Sequence, residues 1–345
     1  MLIAVFLTRT LEFNPGKMVL MSGKFKSNII RSLLRWTVAV ILATVTFTGI
    51  GSVHVQAEVQ TDYIYSLSNF AGLVHSNLAR IHFDEDRKEL YVTDMGNGGV
   101  RIFNAQGMEI YRFGDDWNLG SIIAAVNIEN GNILVLNQTI SKNTIYVCNY
   151  RGELESEFAL KGLPSGFESF TPGSMVYRHD QLYLLDNSAM RLLVTDANGV
   201  ALMGYDLASL TEVDEKKRIQ TAIGGFSVDH EKNILFTVPV LFSAFKLTPE
   251  GKLSGFGRPG SAPGRFNNAG GIVADERGYY YVSDRLKHAI LVFDKNHRFI
   301  KEFGYRGSKP DNLTGPRDLL IDADNRLYVS QLSSRGVSVF KITYE

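Results

Sequence analysis

The chain has 345 residues, 45% hydrophobic and 21% charged, with 36 basic and 36 acidic side chains. That composition excludes a disordered chain, a collagen-like repeat and a polytopic membrane protein. Residues 1–57 hold six of the basic and one of the acidic side chains, leaving 30 and 35 in the rest; a body of net negative charge argues against nucleic-acid binding, which relies on Lys and Arg displacing counterions from phosphates.

The first element in chain order is a leader. Residues 24–36 (KFKSNIIRSLLRW) are basic, residues 37–51 (TVAVILATVTFTGIG) carry no charge, and SVHVQA ends at Ala57. A basic flank, a short apolar run and a small-x-small finish form an export signal. Cleavage after Ala57 is expected, with an uncleaved anchor as the alternative; the run is shorter than the roughly 20 residues a spanning helix needs. Either way the body is expected outside the cytoplasm, periplasmic or secreted, touching a membrane only through this segment. The single cysteine, Cys148, precludes an intramolecular disulfide. It lies in the alternating run TIYVCNY and reads as a small core residue.

From residue 58 onward one pattern recurs. The units are 78–114, 122–160, 172–207, 223–257, 270–304 and 316–345. Each opens with a short apolar strand, an acidic or Gly/Asn turn and a second strand rich in Tyr or Leu. A polar loop, a third β-branched strand, another turn and a fourth strand often ending in Phe-Gly complete it. The second strands close on Asp94, Asn137, Asp186, Val238, Asp284 and Gln331, which sets a period of about 48 residues, as expected of a four-stranded blade. TEVDEKKR (211–218) is an insertion expected to form a helical turn. A lone blade would expose two apolar faces, and radial stacking buries both. The expected fold is therefore all-β: a six-bladed β-propeller of four-stranded antiparallel blades, occupying 58–345. The last unit has three strands, and DYIYSLSNF (62–70) has the alternation to supply its fourth, closing the ring.

The segment GSAPGRFNNAGGIVADERGYYYVSDRLKHAILVFD (260–294) resembles an NHL repeat, with its Gly-rich lead, G-I-x-x-D strand, Y-V-x-D strand and closing V-F-D. GPRDLLIDADNRLYVSQ (315–331) is similar, and the likeness extends more weakly over 62–345. The fourth unit departs from it, with VPVLF in place of the usual D-x-x-N. The resemblance implies a propeller that serves as a binding or assembly scaffold for a protein partner, among bacterial envelope proteins of which some accompany exported redox or assembly complexes. A glycan is a weaker candidate ligand. The family also contains metal-dependent lyases and lactone hydrolases with a site at the propeller mouth, which is the alternative reading, and RNA readers, which conflict with the leader and the charge.

Antiparallel order puts the loops between blades, and those between second and third strands, at one end of the ring: the loop face. The turns after first and third strands form the opposite turn face. First strands line the central channel. Near the loop face stand Arg80, Ala125, Ser174, Gly225, Gly271 and Asp318, and two residues further in stand His82, Asn127, Val176, Ser227, Val273 and Leu320. Arg80 and Asp318 meet if the ring closes, as a seam salt bridge or as a ligand anchor. His82 is the histidine expected in the channel, whereas His179, His230 and His297 fall in solvated turns. No cofactor, catalytic residue or metal ligand is assigned, since zinc needs about three converging ligands and calcium six or more oxygens. Asp94, Asp186 and Asp284 recur at one place per unit and read as turn caps. Arg101, Arg191, Arg258, Arg265, Arg285, Lys287 and Arg306 read as scattered loop-face charges. Leu241 and Phe242, in the apolar stretch 238–245, either project as a protein-contact patch or are buried.

Overall fold

In the computed structural model, the described residues are 58–75, 80–93, 98–115, 120–332 and 335–345. The leader, with its cleavage or anchoring, lies outside them, as does Asp94. Among the described residues no helix is long and apolar enough to cross a membrane.

Residues 58–345 form six four-stranded antiparallel sheets arranged as a β-propeller. Blades one to five span 80–113, 121–157, 174–206, 225–256 and 269–304, each running from an inner first strand to an outer fourth strand. Blade six joins Leu319–Ile321, Arg326–Ser330 and Val337–Tyr344 to an outer strand from the start of the body, Val59–Ser66. Successive inner strands neighbour one another around the whole circle, blade six beside blade one.

Period-two alternation explains the packing. In blade three Leu182 and Leu184 point toward blade two, while Tyr183 and Leu185 point toward blade four. Six clusters of buried side chains result, and each draws on two adjacent blades. Both faces of every sheet are covered, which is how a chain with this hydrophobic fraction hides it without amphipathic helices. Cys148 is buried between blades one and two, and burial pushes its thiol up to about 12, consistent with a core role.

The closing strand sits three to four residues earlier than expected. Val59 through Ser66 pairs with Val337–Tyr344, and Ser68–Asn69 instead folds against Gly72–Leu73 as a small hairpin. Position 59 decides the register: Val59 is fully buried between blades five and six, and Lys301 of blade five donates to its carbonyl at 3.0 Å. Reciprocal backbone bonds of 3.0 Å between Glu58 and Glu345 finish the seam. Within the insertion 211–218 the expected helical turn is present at Glu215–Lys217, continuing into Arg218–Thr221, and a further helical turn that was not expected, Leu207–Leu210, precedes it.

Hydroxyls at the ends of second strands staple blades together. Thr237 donates to the Gly270 carbonyl at 2.5 Å, and Ser283 to the Arg317 carbonyl at 2.9 Å. Blades four, five and six approach through glycine: a Cβ on Gly271 would lie 2.5 Å from the Arg317 oxygen, and one on Gly225 would lie 2.9 Å from Gly271 Cα. The turn role of Asp186 and Asp284 is borne out. Asp186 accepts from the Thr171 and Ala189 amides, and Asp284 from those of Asn267, Asn268, Leu286 and Lys287.

Candidate functional site

The inner strands enclose a cavity of about 310 Å³ along the ring axis. Its lining runs from Arg80, Ser174 and Asp318 near the loop face to Glu85, Asp86, Glu129 and Asp180 near the turn face. The cavity thus reaches the turn face. Blades one to three extend it there, because their first turns carry side chains such as Arg178 and His179 over the lumen.

At the loop end Arg80 and Asp318 meet across the seam. Arg80 Nη1 stands 3.6 Å from Asp318 Oδ1, and the Ile81 amide donates to Asp318 Oδ2 at 3.1 Å. Both side chains are largely withdrawn from solvent. Burial holds the Asp318 carboxyl above the usual carboxylate range even against the pull of Arg80. One inner-strand carboxylate therefore joins the last blade to the first while narrowing the lumen.

Deeper in, His82, Asn127 and Asp84 form a chain. The Asn127 amide nitrogen donates to Asp84 Oδ2 at 2.5 Å, so its carbonyl oxygen faces His82 Nε2 at 2.7 Å. A carboxylate only accepts, which fixes the Asn127 amide orientation; His82 must then carry its proton on Nε2, leaving Nδ1 as an acceptor. Burial lowers the His82 pKa from the ordinary 6.5 to about 4, outweighing the Asn127 hydrogen bond and the Asp84 charge, so the imidazole is neutral. Asp84 is itself fixed by the amides of Asp86 and Arg87 at 2.9 and 3.0 Å. It belongs to the network although nothing local in the sequence singles it out, because its place at the end of the blade-one inner strand, opposite Asn127, is set by the neighbouring blade.

The two channel serines are already engaged. Ser227 donates to the Ile272 carbonyl at 2.6 Å, and Ser174 to Asn187 Oδ1 at 3.1 Å. Leu241 and Phe242 part company. Leu241 is exposed, whereas Phe242 turns in at φ +52° and packs between blades four and five.

Several charges and histidines differ from expectation. Arg101 lies within a third strand and pairs with Glu109 at 2.9 Å rather than standing on the loop face. Lys287 is withdrawn from solvent against Glu302 at 2.6 Å. His179 is half-buried, its Nε2 2.9 Å from the Asp229 carbonyl, and His297 stacks on Phe256 with ring centroids 4.4 Å apart. His179 is drawn in by the following blade and His297 by the preceding one, contacts that a single repeat does not contain, whereas Arg101 and Lys287 are paired by another strand of their own blade. Among the described residues no group of three His, Cys, Asp or Glu side chains is placed to share a metal ion.

No family model and no curated protein matches the chain. Solved structures do. A Bacteroides thetaiotaomicron protein of unknown function aligns with TM-score 0.61 and 13% identity, covering 83% of this chain and 77% of that one. An auxiliary nutrient binding protein from Bacteroides ovatus aligns at 0.56 and 14%, covering 84% and 78%. A streptogramin B lyase aligns at 0.52 and 12%, covering 83% and 98%. At such identities the likeness is one of fold: this chain is a six-bladed β-propeller, an architecture shared by proteins with enzymatic and with binding names.

Proposed function

We propose that the protein is an exported NHL-type propeller that acts as a binding scaffold, holding a protein partner of the cell envelope on its loop face. The NHL assignment rests on the repeat motifs of 260–294 and 315–331, and the export on the leader. The observation that favours a scaffold is that Arg80, Asp318, His82, Asn127, Asp84, Ser174 and Ser227 of the channel are already bonded within the fold, while large apolar residues remain uncovered on the loop face. Ile219 is 80% exposed, Leu286 65%, Val240 56% and Leu241 39%. Ile219 and Val240–Leu241 come from adjacent segments, since the helical turn Arg218–Thr221 packs against Pro239–Leu241. Exposed Arg258, Arg285 and Arg306 share this face. A partner segment with apolar side chains flanked by carboxylates matches that combination.

The test compares the wild-type protein with a Leu241→Asp, Leu286→Asp double variant as bait in envelope extract. One partner, retained in stoichiometric amount by the wild type and lost by the variant, is expected, with both baits melting alike because the two side chains are exposed. Retention by both, or by neither, overturns the assignment of this face. Zinc or calcium is expected to leave the melting temperature unchanged. A rise of several degrees would favour the metal-dependent lyase or lactone hydrolase instead, through ligand-linked stabilisation.

A further inference from the structure

At the turn-face mouth of the channel the repeat is broken twice, in neighbouring blades. Four residues on from Arg80, Ala125, Gly225, Gly271 and Asp318 stand the acids Asp84, Glu129, Asp229, Asp275 and Asp322, whereas blade three has a base there, Arg178. Four of the acids cap their own first turns. Asp84 accepts from the Asp86 and Arg87 amides, Asp229 from Glu231 and Asn233, Asp275 from Arg277 and Tyr279, and Asp322 from Arg326. Glu129 is spared this duty, because Asn130 caps the blade-two turn through the Asn132 amide at 2.9 Å. The blade-three turn has no room for such a cap: only His179 and Asp180 separate Arg178 from its partner Gln181, where the other first turns have four or five residues.

Those two residues hold left-handed backbone, φ +54° and +60°, which a two-residue hairpin ordinarily gives to Asn and Gly. Here His179 and Asp180 line the cavity instead, together with Arg178 and Glu129. The arginine is fixed in place. Its Nη1 donates to the Val228 carbonyl of blade four at 3.0 Å, and His179 Nε2 lies 2.9 Å from the Asp229 carbonyl beside it. Among the described residues Arg178, Glu129 and Asp180 form no ion pair. Burial holds the Arg178 guanidinium below its ordinary pKa, against a longer-range pull from Glu85, Asp229 and Glu276. A half-buried cation without a counter-ion and two carboxylates from adjoining blades thus line one mouth. A fold gains nothing from leaving both signs unneutralised, and a molecule that bears both neutralises them together.

We infer that Arg178, Glu129 and Asp180 form a binding site for a small zwitterion of the amino-acid type at the turn-face mouth of the channel, the guanidinium receiving its carboxylate and the two acids its ammonium. A planar donor fork grips a carboxylate in bidentate fashion. The cavity of about 310 Å³ admits a molecule of that size, and Val176, Leu320 and Ile321 supply apolar lining for its side chain. The site lies at the opposite end of the ring from the proposed partner surface and does not depend on that reading.

The experiment is calorimetric titration of the full chain with leucine, phenylalanine, glutamate and lysine at constant ionic strength. Each binder is then compared with its analogues lacking the amino or the carboxylate group, which for leucine are isoamylamine's partner isocaproate and isoamylamine itself. At least one amino acid is expected to bind, and loss of either charge to weaken it at least about tenfold, the worth of a charge-assisted hydrogen bond. Arg178→Gln and Asp180→Asn are each expected to weaken binding at least about fivefold, and Lys295→Gln, on the same face but outside the cavity, to leave it unchanged. Should Arg178→Gln fail to fold, Asp180→Asn carries the test, because Asp180 is exposed and Asn suits its left-handed backbone. No binding by any of the four amino acids, an analogue with one charge that binds as tightly as its parent, or binding undiminished in the folded variants overturns the proposal.

Discussion

His82 is the residue whose surroundings change its chemistry most directly. Its folded pKa of about 4 lies below the ordinary 6.5, so the folded state disfavours the proton that the unfolded chain accepts. The stability this contributes is complete above pH 6.5 and is lost as pH falls toward 4. Between pH 7 and pH 4.5 the loss amounts to roughly 2–3 kcal/mol, at 1.36 kcal/mol per pKa unit. His82→Gln can still donate to Asn127 but does not titrate. Urea unfolding at the two pH values is expected to show the variant losing less stability than the wild type by about that amount. An identical acid loss in both proteins would place the sensitivity elsewhere. The identity of His82 as a channel residue follows from its place in the repeat. Its proton state does not, because Asn127 is 45 residues away and Asp84 joins only through that amide.

Between elements, the inner strands of blades four to six show how closely the ring is drawn. Gly271 has an ordinary backbone conformation, so its lack of a side chain answers a packing need: an added methyl would meet the Arg317 carbonyl at 2.5 Å and the Leu319 amide nitrogen at 2.9 Å. Both atoms are backbone and cannot swing aside. Gly271→Ala is therefore expected to destabilise by about 1–3 kcal/mol, the usual cost of overpacking, although helix or strand propensity alone would favour alanine. Chemical denaturation measures it, and a neutral or stabilising outcome would mean that the blades can separate without loss. The G-G-I-V sequence shows that this strand is unusually bare. It does not show that the bareness admits the neighbouring blade's peptide bond.

At the scale of the molecule, stability depends on closing the circle. The strand Val59–Ser66 covers the edge of blade six, and its Val59 is buried with Phe340, Ile342 and Leu313. Tyr63 adds an edge-to-face contact with Phe340, ring centroids 5.8 Å apart. Deleting 58–66 uncovers several such side chains at about 1.5–3 kcal/mol each, for a total of about 5 kcal/mol or more. The melting temperature is expected to fall by roughly 10 °C or more; a truncated protein that melts with the full-length one would show that the ring does not need its latch.

Fold class, blade count, the helical insertion and the origin of the closing strand were legible in the linear chain because their causes are local. Strand alternation has a period of two, and each repeat restates its turns at a nearly constant spacing. What the tertiary structure alone decided is which polar groups meet, Arg80 with Asp318 and Asn127 between His82 and Asp84, and which apolar side chains turn outward or inward, Leu241 and Phe242. Such pairings arise when rotation about the ring axis brings together residues from adjoining blades, tens to hundreds of positions apart, and no periodicity along the chain encodes the angle at which one sheet faces the next.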